Sequence, residues 1–317
     1  MAIYLTEHDV AGLIDMPMAL AAVEAAHLAL ARGEAIDVPR ERVRAGRGTQ
    51  HLLQAGWAAR GATGYKVYTV AGGQVRFWVH LFDLATGAAL AVIEANLLGM
   101  MRTGAAGGVA ARRLARNDAR VAGIIGAGWQ ARGQLLALAH VRQLERILVY
   151  ARSADRVAAF CNAMQAELGV PVEAAASAQA LAEAVDIVVT ATNAPKPVLE
   201  GAWLRPGTHV NAMGSNSLAR REIDEALVTR ADLICVDTVD TALKEAGDLL
   251  PSLEKGRLAA GRLVPLGDVV AGFRPARAND AQITLFESQG LGIQDLSLGL
   301  DVLERARAAG IGQNLPY

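Results

Sequence analysis

The stretch VAGIIGAGWQA, residues 121–131, decides the fold. Its first five residues are apolar without alternation, as in a strand covered on both faces. They run into Gly126-Ala127-Gly128-Trp129-Gln130-Ala131, a GxGxxA turn, and a helical stretch continues to about Leu144. In that setting the first glycine permits the tight turn, and the second lets backbone N–H groups approach a pyrophosphate. The small Ala131 lets helix and strand pack closely, and the helix N-terminus favours negative charge. A second strand ending at Tyr150 completes a βαβ unit, which gives the fingerprint its physical context.

Outward from the turn, toward the C-terminus, strand and helix patterns alternate. Val121–Ile125, Ile147–Tyr150, Val172–Ala174, Ile187–Thr190, His209–Ala212 and Leu233–Val236 read as strands of a parallel, doubly wound Rossmann sheet. A last amphipathic helix spans 296–309 and stops at Gly310. Toward the N-terminus the period changes. Thr6 with Asp9 caps a short helix, and Pro17 suits the first turn of a second one running to Gly33. Segments 50–56, 63–71, 75–83 and 88–93 are rich in Val, Leu, Tyr, Phe and Trp and are parted by turns at Gly72-Gly73 and Thr86-Gly87, which predicts an antiparallel meander. The Ala-rich run from Asn96 to Leu114 predicts a long helix closing this half.

The 317-residue length accommodates two domains, and 52% apolar with 20% charged residues describes a folded chain. A net charge of −1 supplies no basic field for nucleic acid or an anionic membrane, so small molecules are the expected partners. No apolar run is long enough to span a bilayer and the N-terminus lacks a signal-peptide pattern, so a cytoplasmic location is expected. Cys161 and Cys235 read as core packing, and the six histidines are scattered without metal-ligand spacing, so no metal is expected.

Dinucleotide choice turns on the residues just past the second strand, where NAD sites carry an acidic residue for the ribose hydroxyls. This chain reads Tyr150-Ala151-Arg152-Ser153, with Arg156 one turn on. Arg152, Ser153 and Arg156 suit a 2′-phosphate, which favours NADP(H) over NAD(H); alternatively Ser153 only caps the next helix and both arginines are solvated.

Further motifs are Gly64-Tyr65-Lys66, Asp83-Leu84-Ala85-Thr86-Gly87, Met101-Arg102-Thr103-Gly104-Ala105-Ala106, Val189-Thr190-Ala191-Thr192, Asn211-Ala212-Met213-Gly214 and Phe286-Glu287-Ser288-Gln289-Gly290. In order and spacing, together with the GAGWQA turn, they make the chain resemble the ornithine cyclodeaminase/μ-crystallin family over essentially its whole length. The resemblance implies a Rossmann domain, residues 116–294, inserted in an α+β substrate and dimerisation domain formed by 1–115 and 295–317, in a homodimer. It places a substrate carboxylate against Lys66, Arg102 and Arg42. A guanidinium grips a planar carboxylate with two parallel bonds, and an ammonium can orient or protonate the substrate nitrogen. Arg40 and Arg44 share the face of Arg42, so the register could slip by two. Taken without the resemblance, Lys66 could point to solvent and Arg102 could brace its helix.

The resemblance also implies cofactor contacts from Thr190, Thr192, Met213, Gly214, Ser288 and Gly290, although the two threonines also suit a strand simply by being β-branched. His51, with Gln54 and Trp57, either lines the substrate pocket or packs. One departure is chemical: cyclodeaminases carry an aspartate where this chain has Asn216, and an amide cannot act as a general base. The expected activity is therefore NAD(P)H-dependent reduction of a small α-imino acid or ketimine, a dicarboxylic one such as iminosuccinate included, or the reverse dehydrogenation. The rivals are a cyclodeaminase-type lyase using NAD catalytically and a non-catalytic, crystallin-like binding protein.

Overall fold

The computed structural model describes residues 1–316. It divides into two compact units, Met1–Arg102 with the chain from Gly290 onward, and Thr103–Gln289. The divisions fall inside the helix Asn96–Leu114 and before the final helix, both earlier than the expected 115/116 and 294/295. Side-chain bonds give the reason for the first: Gln134 donates to the Thr103 carbonyl and Asn211 to the Gly107 carbonyl, so the helix belongs to the second unit from Thr103 on.

In the first unit the strands are β1 (Ile3–Leu5), β2 (Ala35–Ala45), β3 (Gly48–Trp57), β4 (Ala62–Ala71), β5 (Gln74–Asp83) and β6 (Ala89–Glu94). From β3 to β6 they form the expected antiparallel meander, β2 extends it antiparallel to β3, β1 adds parallel to β6, and the last strand of the chain, Gln313–Asn314, adds antiparallel to β1. The helix Gly292–Ala309 packs on the sheet and against the helix Met16–Ala31, and both helices bury a wide apolar face. Local signals set the N-terminal helices as read. Thr6 and Asp9 form a reciprocal capping box for Glu7–Leu13, and Asp15 accepts from Met18 N at 2.8 Å.

In the second unit the strands are β7 (Val121–Ile125), β8 (Arg146–Tyr150), β9 (Val172–Ala174), β10 (Ile187–Thr190), β11 (His209–Ala212), β12 (Leu233–Val236), β13 (Leu263–Pro265) and β14 (Thr284–Glu287). All neighbours pair parallel in the order β13-β12-β14-β11-β10-β7-β8-β9. This is the doubly wound sheet expected, with two strands the pattern did not reveal. β14, fully buried between β11 and β12, is four residues long and merges with the polar Ser288-Gln289; β13 is three residues ending in proline. Among the described residues no single helix is long and apolar enough to cross a membrane.

Candidate active site

The GxGxxA turn has the geometry a dinucleotide phosphate needs. Gly126 has φ +124°, a conformation side chains rarely adopt, and a Cβ there would collide with the Ala191 carbonyl. Its N–H donates to Tyr150 O at 2.8 Å, tying the turn to the next strand. Gly128 is different: among the described residues nothing lies within 4 Å of a Cβ placed on it. What a side chain would obstruct there is open space before the helix Trp129–Val141, whose N-cap supplies no capping side chain. Uncapped first-turn N–H groups facing that space fit a pyrophosphate. Ala131 is fully buried against the sheet, and Gln130 has a buried Oε1 that accepts no hydrogen bond among the described residues. Trp129 is exposed, with the Arg132 guanidinium 5.7 Å from its ring centre.

Beyond β8, Ser153 is the N-cap of the helix Ala154–Leu168 and accepts from Arg156 N at 3.4 Å. Of the two sequence readings for Ser153, capping is the one seen. Arg152 and Arg156 are exposed at the same strand end.

The carboxyl ends of β10 and β11 are organised by a residue that sequence reasoning missed. Glu222, 1% exposed, accepts from Thr190 Oγ1 at 2.8 Å, Thr192 Oγ1 at 2.7 Å, Thr192 N at 2.6 Å and Gly214 N at 2.6 Å. Both threonine hydroxyls, expected to meet the cofactor directly, are thus engaged by a carboxylate, and Thr190 is fully buried. Glu222 in turn is held from its backbone: its N–H and that of Ile223 donate to Asp248 Oδ1 at 2.6 and 2.9 Å. Burial pushes the Glu222 carboxyl up, against the pull of its four donors. Burial also lifts Asp248 to about 7, and it lifts Glu287 well above the ordinary range with help from the charge of Asp248. In sequence Glu222 follows Arg220-Arg221 and looks like part of a solvated charged stretch, so no local signal marks it.

The remaining expected contacts of this unit follow the ends of β11 and β14. Met213 is buried at the end of β11, and Asn216 is half-buried two residues beyond Gly214. The Ser288 hydroxyl donates to Asp237 Oδ2 at 2.7 Å, and Gln289 N donates to the same oxygen at 2.9 Å.

The first unit gathers buried cations. Lys66, on β4 and 2% exposed, donates to Asp295 Oδ1 at 2.8 Å and lies 5.3 Å from the centre of the Phe77 ring. Burial brings its ammonium down to about 8, with Asp295 opposing and Arg102 adding to the fall. Arg102 is 8% exposed; its Nη1 donates to Gln294 Oε1 at 2.9 Å and its Nε lies 3.3 Å from Asp295 Oδ1. Gln294 Nε2 is 3.0 Å from Nε2 of the fully buried His27. Gly290, expected at the cofactor, here has φ +79° and lies against Arg102, where a Cβ would collide with the guanidinium. Neither Lys66 nor Arg102 points to solvent.

The third expected cation, Arg42, differs in burial from its neighbour Arg40. Arg42 is half-exposed opposite His51, whereas Arg40 is buried at 3%, its Cζ 6.0 Å from the Tyr68 ring centre. The register of β2 against β3 shifts between Val38 and Glu41, so Pro39 and Arg40 together stand opposite Leu53. Such a bulge moves Arg40 onto the face of Ala35 and Asp37, a parity that strict alternation denies it. His51 stacks on Tyr68 with centroids 4.2 Å apart, and burial with Arg40, Arg42 and Arg44 lowers it to about 4, so it is neutral at pH 7. Gln54 is exposed and Trp57 is core, its ring under the Arg60 guanidinium.

The chain is similar to several proteins of known structure. Delta(1)-pyrroline-2-carboxylate reductase of Thermococcus litoralis, solved with NADH and L-proline, is 35% identical with a TM-score of 0.95, covering 99% of this chain and 100% of that one. The iminosuccinate reductase of Paracoccus denitrificans, solved with NAD+, is 30% identical with a TM-score of 0.94 over 100% and 99% of the two chains. An archaeal alanine dehydrogenase dimer with bound NAD is 31% identical with a TM-score of 0.93, also over 100% and 99%. The model of the ornithine cyclodeaminase/mu-crystallin family matches residues 2–310, and the chain belongs to that family.

Proposed function

We propose that this protein is an NAD(P)H-dependent oxidoreductase that reduces a small α-imino acid or cyclic ketimine to the L-amino acid, or runs the same reaction in reverse. The observation that carries the reading is the buried ammonium of Lys66 beside the buried guanidinium of Arg102, in a chain whose other unit holds the open GxGxxA turn. Two buried cations that share one carboxylate suit an anionic ligand. Arg102 supplies the planar fork and Lys66 the point charge. Arg40, by its burial, is the better third cation than Arg42.

Residues 126–131 and the loops organised by Glu222 would hold a nicotinamide dinucleotide, which would supply the hydride. The chain's own residues bind the substrate carboxylate and provide for the nitrogen. A neutral imine that accepts hydride also needs a proton, and Lys66, ionised below about 8, can deliver one and recover it from water. Asn216 orients substrate but takes no proton, which argues against the cyclodeaminase reading. The resemblance to a dimeric alanine dehydrogenase supports a homodimer.

The test is a panel of imines, formed from α-keto acids with ammonia or supplied as cyclic ketimines, including iminosuccinate, followed by loss of nicotinamide absorbance with both cofactors. One nicotinamide should be consumed per amino acid formed, with NADPH giving the higher kcat/KM because Arg152 and Arg156 stand exposed where an acidic residue would hold the NAD ribose. A tenfold preference for NADH, about 1.4 kcal/mol, refutes the NADPH assignment. Ammonia and proline from L-ornithine with catalytic NAD+ refute the reductase assignment itself.

A further inference from the structure

Asp295 lies in the first turn of the helix Gly292–Ala309 and is fully buried. Its Oδ1 meets both Lys66 Nζ at 2.8 Å and Arg102 Nε at 3.3 Å. Its Oδ2 accepts no hydrogen bond among the described residues. A carboxylate taken out of water in this way is costly unless cations surround it, and two cations forced together are costly unless an anion joins them. The three charges therefore stand as a unit. We propose that Asp295 is the positioning residue of this site: one of its oxygens holds the Lys66 ammonium and the Arg102 guanidinium side by side, so that both act on a single substrate carboxylate. The proposal rests on the reading of those two cations as substrate anchors, and its test is arranged so that the two can fail separately.

The charged groups that act on Lys66 come from three elements: Asp295 from the final helix, Arg102 from the helix Asn96–Leu114, and Arg40 from β2. Burial and both guanidiniums favour the neutral amine, and of these groups Asp295 alone favours the ammonium. Take that carboxylate away and Lys66 gives up its proton at lower pH. It then ceases to be a cation where the enzyme works, and Arg102 loses the partner of its Nε while keeping Gln294 at Nη1.

The test is an NMR titration of the full chain carrying isotopically labelled lysine, with the Lys66 signal assigned by its loss in Lys66→Met. Asp295→Asn should move the Lys66 midpoint down by at least about one pH unit from a wild-type value near 8. An unmoved midpoint overturns the proposal, and because no substrate is present it does so whether or not the imine assay succeeds. Kinetics give the second arm: Asp295→Asn should raise KM for the imino acid at least about 10-fold with dinucleotide Kd unchanged. An unchanged KM overturns the proposal. If Asp295→Asn does not fold, Asp295→Glu carries the test. It keeps the charge but displaces it by one methylene, so the Lys66 titration should hold while KM rises, and a KM equal to wild type overturns the positioning role.

Discussion

The two units each bury a carboxylate among their candidate site residues, and they hold it by opposite means. In the first, Asp295 is surrounded by charge, with Lys66 and Arg102 on one oxygen. In the second, Glu222 is held by neutral donors, two hydroxyls and two backbone N–H groups. The consequences differ. Neutral donors only partly offset burial, so the Glu222 carboxyl is pushed up, and its neighbours Asp248 and Glu287 rise with it. The charged cluster keeps a cation buried, which suits binding an anion. The neutral-donor cluster ties two strand ends together without creating a charged ligand site, which suits shaping a loop.

The sharpest break of this comparison is at Arg102. Arg102→Lys keeps the charge but loses the fork that reaches Gln294 and Asp295 together, so kcat/KM should fall by roughly 10²-fold or more while dinucleotide affinity stays nearly intact. Near wild-type turnover would take Arg102 out of the site.

A smaller effect should come from Glu222→Gln. The amide turns one acceptor into a donor facing other donors, so the ends of β10 and β11 lose at least one of their four bonds. Unfolding free energy should drop by about 2 kcal/mol, and dinucleotide Kd, read by nicotinamide fluorescence, should rise about 10-fold. Loss of stability with unaltered affinity would show that Glu222 supports the fold but not the cofactor loops.

The mildest expected change concerns pH. Asp248 is raised from the ordinary range near 4 to about 7, so the folded state binds its proton more tightly than the unfolded one does. The stability this contributes is fully present below about 4 and is lost as pH climbs through about 7, with a slope of at most about 1.4 kcal/mol per pH unit for one proton. Asp248→Asn retains the oxygen that accepts from Glu222 N and Ile223 N and removes the charge beside Glu287. Denaturant melts from pH 4 to 8 should then show a flatter profile than wild type, and an identical slope would mean that Asp248 titrates normally.

Much of the scaffold was legible in the residues. Helix Asn96–Leu114 and strands β7, β9, β10, β11 and β12 have the bounds that composition predicts, because a long Ala-rich run or a short β-branched run between turn residues is a local preference. Less of the site was legible. Lys66 and Arg102 entered through resemblance alone, since one lysine in a strand has no pattern of its own.

What the sequence by itself determined is whatever depends on neighbours along the chain: the GxGxxA turn with Gly126 at φ +124°, the capping box at Thr6 and Asp9, the cap at Ser153, and the meander turns at Gly72-Gly73. Only the tertiary structure decided what depends on residues far apart. It brought Asp295 to Lys66 across 229 positions and Glu222 to Thr190 across 32, placed β14 between β11 and β12, and used the bulge in β2 to turn Arg40 onto the face of Ala35 and Asp37. The physical reason is that turn and cap energies are settled within a few residues, whereas a buried charge selects its partner by desolvation, and desolvation exists only once the chain has packed.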